Sequence, residues 1–247
     1  MRRAEHRNSF ALLGRGGRER GPFARAGLAP VWHTVALASL IVVVACTGLF
    51  LQHGGLPARV GADAATSGSR IVSQYLPLLL VNCSLTAYCC AFRGWGALRE
   101  WVGPSPHGVI RELGLAVVLI LLIQLVELGF TLVFGVRQTG TAASLLPLTL
   151  AERLSWVLVA VGVGFCEEVV YRGYLQAQLS AFSGSARLGI ALQAALFGLA
   201  HADQGLAVAL RVFGYGLLLG GVVYRRGTLW ADIFAHIGLD LAAAFLR

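Results

Sequence analysis

Residues 31–52 contain no Asp, Glu, Lys or Arg. About 20 consecutive apolar residues are enough to cross the hydrocarbon core of a bilayer as a helix. Comparable runs recur to the end of the chain, and the expected spans are 31–52, 71–92, 110–134, 151–182, 186–202, 206–224 and 229–246. Pro77 marks a kink in the second. Ser183-Gly184-Ser185 and Arg225-Arg226-Gly227 mark tight turns around the fifth and sixth. Composition agrees: 57% of the residues are hydrophobic, only 13% are charged and mean hydropathy is +0.72, where soluble domains carry about 25% charged residues. The fold expected is all-α, a polytopic membrane helical bundle of about seven transmembrane helices.

The sequence pI of about 9.8 invites a nucleic-acid reading. The arginines argue against it, because they cluster at the ends of apolar segments, as membrane topology requires. No nucleic-acid partner is expected; membrane lipid is. Seven arginines crowd a glycine-bearing arm over residues 1–30, suited to resting on anionic lipid. Arg2-Arg3 resembles the start of a twin-arginine export signal, but the apolar run that follows is too long for one and reads as a first anchor. With the N-terminus inside, 14 of the 20 arginines fall on the inner side. The expectation is therefore a multi-pass protein of the inner or plasma membrane with a cytoplasmic N-terminus. Trp32, Trp95, Trp101 and Trp230 read as interface anchors, and His33 and His107 as interfacial.

Two adjacent acids, Glu167 and Glu168, interrupt this pattern inside the fourth apolar run. A charge at mid-bilayer costs roughly 2.5–3.5 kcal/mol on insertion scales, so such residues mark functional sites by default where partners exist. Arg172 lies one helical turn beyond Glu168 on the same face. Further along stand His201, His236 and Asp240, each in an apolar segment. The depths are compatible. Glu167 and Glu168 lie roughly 25 Å from the turn at Gly184, and His201 lies roughly 25 Å beyond it on the antiparallel neighbour. His236 reaches the same level if the intervening hairpin protrudes by about 10 Å. Gln176, Gln178, Ser180, Ser183, Ser185 and Arg187, poor lipid-facing residues, favour that protrusion.

Spacing sorts the side chains further. Glu167 and Glu168 are about 100° apart around a helix, so one faces the site while the other pairs with Arg172. His236 and Asp240 share a face, as do Phe197 and His201. The Phe197 ring is placed to wall the site on the substrate side or to fix the imidazole. Each element has a plainer reading alone. A Glu-x-x-x-Arg pair is often packing glue, and a single buried histidine is most often a satisfied core residue. Their convergence at one depth favours a site. Glu127, in the middle of the third span, has no evident partner and reads equally as a packing residue or a pathway residue. The five cysteines show no metal-binding spacing. Cys166 stands beside the acids, but nothing in the sequence activates it as a nucleophile.

Burial strips a carboxylate of water and makes it a better general base near neutral pH. A histidine at the same depth can share its water, and a second can steady an oxyanion. That set suits hydrolysis of a peptide bond by activated water. Glu167, His201, His236 and Asp240 are equally the candidates to hold a divalent metal such as zinc, although neither histidine lies in a His-Glu-x-x-His helix.

The ordered trio Glu167-Glu168-x-x-x-Arg172, Phe197-x-x-x-His201 and His236-x-x-x-Asp240 resembles the CPBP family of intramembrane proteases. This is the group of CAAX prenyl endopeptidases and bacteriocin-processing or Abi-type enzymes. Arg172-Gly173 and Thr228-Leu229-Trp230-Ala231 add to the likeness. The resemblance spans residues 152–246 and divides the chain into an arm over 1–30, N-terminal spans over 31–150 and a catalytic helical core over 151–247. It implies a glutamate-type or metal-assisted endopeptidase acting on membrane-associated or lipidated peptide or protein substrates, by CAAX-type or leader-peptide processing. Glu167 and His201 would activate water, His236 and Asp240 would form the oxyanion pocket, and Glu168 and Arg172 would support the geometry. An ionised Asp240 cannot donate to an oxyanion, so it must be protonated, orient His236 or bind a metal. The alternatives are a non-catalytic immunity or scaffold protein that retains the fold, and a proton-coupled transporter. The apparent lack of an inverted repeat counts against the transporter.

Overall fold

The computed structural model describes residues 28–53, 67–103, 108–135 and 145–245. Nearly all of the basic arm, most of the loop before Arg70, and Pro104, Pro106 and His107 lie outside the described residues. Among the described residues, eight helices make up the architecture. They are α1 (Val31–His53), α2 (67–91), α3 (Ala97–Val102), α4 (Val109–Phe134), α5 (Leu150–Ser183), α6 (Ala186–Ala200), α7 (Leu206–Arg226) and α8 (Trp230–Phe245). Helices α1, α2, α4, α5 and α7 are long and apolar enough to cross a membrane. By that measure this is an integral, multi-pass membrane protein.

All seven expected spans are helical; among the described residues five of them are long enough to cross a membrane by length and composition, and the other two are shorter. Helix α6 has 15 residues and α8 has 16, below the ~20 that a spanning helix needs. The reason for α6 is local. It stops at His201, which caps the helix, and a single 3-10 turn then leads to Gly205 at φ 108°.

Apolar side chains cover the outside, and several polar ones are buried within the apolar core. On α4, Leu121, Leu125 and Leu132 are each more than 60% exposed, the surface expected against lipid. Glu152, Glu168, Arg172, Gln176, Gln193 and Asp232 are buried. Gln176 donates to the Gly220 carbonyl at 3.0 Å and Gln193 to that of Gly216 at 2.9 Å, which ties α5 and α6 to α7. This overturns one step of the depth argument. Gln176, Gln178 and Ser180 are absent from the lipid face because they lie between helices, so they give no measure of how far the hairpin protrudes.

Helix α5 organises the rest. Thr149 caps its start by accepting from the Glu152 N–H, as a threonine before a helix does. The Glu152 carboxylate accepts from Leu148 N and from Arg70 Nη1, each at 2.7 Å, and so fastens α5 to α2. Over Glu168–Leu175 the helix widens into a π segment, a form enriched at functional sites. A second π segment, Ile71–Tyr75, precedes Pro77; proline has no N–H for the regular ladder, and the Leu76 N–H reaches back to Ile71 instead. Pro77 thus acts through this local widening.

The π segment of α5 is the centre of the largest apolar cluster, among Phe197, Val212, Leu229, Ile233 and Trp101. Two glycines permit close approach, as small residues do in membrane bundles. A Cβ on Gly173 would stand 2.9 Å from Trp101 Cβ, and one on Gly164 would stand 2.9 Å from Ile237 Cγ1 on α8. Trp101 is 5% exposed, a core residue rather than an interface anchor. His33 is likewise buried, with Nδ1 hydrogen-bonded to Tyr174 Oη at 2.6 Å and its ring stacked on Tyr88.

Candidate active site

The close approach of α5 and α8 at Gly164 sets two acids against one imidazole. His236 Nδ1 donates to Glu168 Oε1 at 2.8 Å. Its Nε2 lies 3.7 Å from Glu167 Oε2 and 3.9 Å from Asp240 Oδ2. The division of labour between the acids follows their angular separation. Glu168 is fully buried, with Arg172 Nη1 3.2 Å away, whereas Glu167 faces a cavity of about 470 Å³. His201, His236, Asp240 and Phe197 line the same cavity.

His201 reaches it from the end of α6. Its Nδ1 donates to the Phe197 carbonyl at 2.9 Å, and Asp240 lies within its electrostatic range. In both histidines Nδ1 is therefore committed, which leaves Nε2 as the working nitrogen; the partner of one ring nitrogen sets the role of the other. Phe197 lies among these groups. Its ring centroid is 4.9 Å from that of His201, 6.3 Å from His236 and 4.9 Å from Tyr171. The Arg172 guanidinium lies 4.1 Å over its face, in cation–π range.

Glu167, Glu168, Arg172, Phe197, His201, His236 and Asp240 are thus brought together, though not quite as spacing implied. The imidazole beside both glutamates belongs to His236, while His201 lines the same cavity. Among the described residues no three His, Cys, Asp or Glu side chains form a group able to hold a metal ion. Glu167, His201, His236 and Asp240 therefore do not make a ligand set as arranged. Cys166 is buried and free.

Two features escaped sequence reasoning. Glu127 has partners after all, since Arg211 Nη1 and Tyr215 Oη both donate to it from α7. These three residues line the cavity too. Nothing in the sequence links α4 to α7, so no signal was available. The other is Asp232, fully buried on α8 and in electrostatic range of Glu168, Arg172 and His236. Its place one turn before His236 was a usable signal.

Fold and site define a class: a helical membrane protein with a buried acid–histidine cluster opening on a partly open cavity. Residues 149–242 match the family described as type II CAAX prenyl endopeptidase Rce1-like. This segment is a domain of that CPBP family, whose description is that of a peptidase. No curated protein and no solved structure matches the chain.

Proposed function

We propose that the protein is an intramembrane endopeptidase that hydrolyses peptide bonds of membrane-associated or lipidated substrates by an activated water. The observation that carries this reading is the cavity wall on which Glu167, His201, His236 and Asp240 meet, within a domain of a peptidase family. Glu167 takes a proton from water as the oxygen attacks the scissile carbonyl carbon, and Nε2 of His201 shares that water. His236, held at Nδ1 by Glu168, donates from Nε2 to the oxyanion as an imidazolium, with Asp240 orienting it. The C–N bond then breaks, and the proton held by Glu167 passes to the leaving amine. Glu168 and Arg172 are positioning residues.

The family description supports prenylated protein C-termini as the first substrate class to try, with leader peptides the other. The distribution of arginines supports a cytoplasmic N-terminus. Arg172 drops out of that count because it is buried, but the seven arginines of the arm remain. The test is cleavage of prenylated C-terminal peptides by purified protein in detergent. Glu167→Ala and His201→Ala are expected to abolish cleavage while the protein stays folded. Full activity in either folded variant overturns the assignment.

A further inference from the structure

The cavity has polar lining that the proposed hydrolysis does not use. Helix α7 turns Val208, Arg211, Val212 and Tyr215 toward it, positions that recur on one face of a helix. Helix α4 adds Glu127. Arg211 Nη1 donates to one oxygen of the Glu127 carboxylate, and Tyr215 Oη donates to the other.

The two charges of this group are not equally shielded. The Arg211 side chain is 3% exposed and that of Glu127 is 26% exposed. The guanidinium makes its hydrogen bond through Nη1, while Nε is buried with no partner among the described residues. This is not the two-armed pairing in which arginine and carboxylate close on each other. An ionised carboxylate has about four lone-pair sites, and Arg211 and Tyr215 fill two of them. The rest belong to a side chain on the cavity wall. That wall therefore presents an acceptor, held in place by two donors from α7.

The surrounding charge has the same sign. Glu127, Glu167 and Asp240 all line the cavity, with Arg211, His201 and His236. With one imidazole charged, the lining is still acidic. The acceptor is also near the reacting groups. A Cβ on Gly198, next to Phe197, would stand 2.6 Å from the Ala209 carbonyl oxygen and 3.0 Å from Phe213 Cβ. Helix α7 thus passes the Phe197 end of α6 with the residues on either side of Arg211. One extended peptide can lie against Glu167 and Glu127 together.

We propose that Glu127 is a specificity-determining residue, and that its subsite takes a basic side chain of the peptide being cleaved. The ammonium or guanidinium of that side chain donates to the unfilled lone pairs of Glu127. Arg211 and Tyr215 fix the carboxylate for it. The proposal rests on the peptidase reading and names a substrate preference of the same cavity.

The test uses the full chain purified in detergent. Its probes are pairs of labelled, prenylated C-terminal peptides carrying either lysine or methionine, an uncharged chain of similar length, at each position flanking the cleaved bond. At one position the lysine peptide is expected to be favoured in kcat/KM by about tenfold or more, the scale of a hydrogen bond to a charged group. Glu127→Gln is expected to remove that preference. The double variant Glu127→Gln with Arg211→Gln, which strands neither charge, serves where the single change unfolds the protein. A wild type with no lysine preference at any position overturns the proposal. So does a preference that survives in the variant, or failure of both variants to fold, since the pair would then be a packing contact. A wild type that cleaves no peptide defeats the peptidase reading instead. Fluorescence anisotropy of the same peptides then decides, because the lysine form must still bind more tightly to wild type, and Glu127→Gln must erase the difference.

Discussion

His236 Nδ1 lies 2.8 Å from Glu168 Oε1, while Nε2 of the same ring lies 3.7 Å from Glu167 Oε2. One imidazole therefore separates a buried acid from an acid on the cavity. The two adjacent glutamates should answer differently to the same change. Glu168→Ala leaves Arg172 uncompensated in a dry interior, and breaking a buried pair costs about 3–5 kcal/mol. Glu167→Ala removes a carboxylate that faces the cavity, which should cost under about 1 kcal/mol and lower turnover by at least about 100-fold. Thermal unfolding in detergent beside peptide cleavage separates the two. Equal destabilisation by both substitutions would contradict this division.

The aromatic ring between the two histidines gives a second expectation. Phe197 lies against His201 and beneath Arg172. Phe197→Leu keeps most of the apolar volume but loses the ring face, worth about 0.5–2 kcal/mol to a nearby cation. Turnover should fall further than stability, because His201 and Arg172 both lose a wall. Phe197→Tyr keeps the face and should stay closer to wild type, provided its hydroxyl is accommodated on the cavity side. The check is kcat for the two variants alongside their melting temperatures; a leucine variant with wild-type kcat would remove Phe197 from the site.

Much of this arrangement was legible because membrane burial makes charge conspicuous. Glu167, Glu168, Arg172, His201, His236 and Asp240 stand out against aliphatic neighbours, and helical spacing correctly paired Glu168 with Arg172. What spacing could not supply was the rotation of one helix against another. It placed both histidines at the depth of the acids but could not say which imidazole meets them; in the bundle it is His236, where α8 passes close to α5 at Gly164. The same blindness left Glu127 without its α7 partners and made Trp101 an interface anchor. The π segment was also out of reach, since Glu168–Leu175 reads as ordinary helix residue by residue. Asp232 was overlooked, although it stands one helical turn before His236 and is fully buried.

Close packing at Gly164 can be tested against a control in the same protein. An added Cβ there meets Ile237 Cγ1 at 2.9 Å and Ile237 N at 3.3 Å, whereas one on Gly221 meets nothing within 4 Å. Gly164→Ala should therefore cost about 1–3 kcal/mol, as overpacking does, and should weaken catalysis by pushing α8 and its His236 away from Glu168. Gly221→Ala should leave both stability and activity within experimental error, or raise stability slightly through helix propensity. Melting temperatures and kcat for the pair provide the check, and a harmless Gly164→Ala would mean that the helices adjust without moving the site.

A second ionic group lines the same cavity as Glu167. Glu127 on α4 accepts from Arg211 and Tyr215 on α7, and the Arg211 side chain is only 3% exposed. Removing Glu127 leaves Arg211 charged in a poorly solvated place, an outcome worth up to about 3–5 kcal/mol for buried pairs, whereas Glu127, with 26% of its side chain exposed, is less stranded when Arg211 is removed. Removing both charges together leaves neither stranded. Glu127→Gln and Arg211→Gln should each lower the melting temperature, the first by more, and the double variant should be more stable than the sum of the singles implies. The coupling read from that cycle should be about 0.5–3 kcal/mol, the range for residues in direct contact. Additive losses would mean that the two side chains act independently. Since Glu127, Arg211 and Tyr215 share the cavity with Glu167, the double variant also reports on substrate. A KM that rises at constant kcat marks this wall as a binding surface, whereas a fall in kcat alone marks it as support for the helices that shape the site.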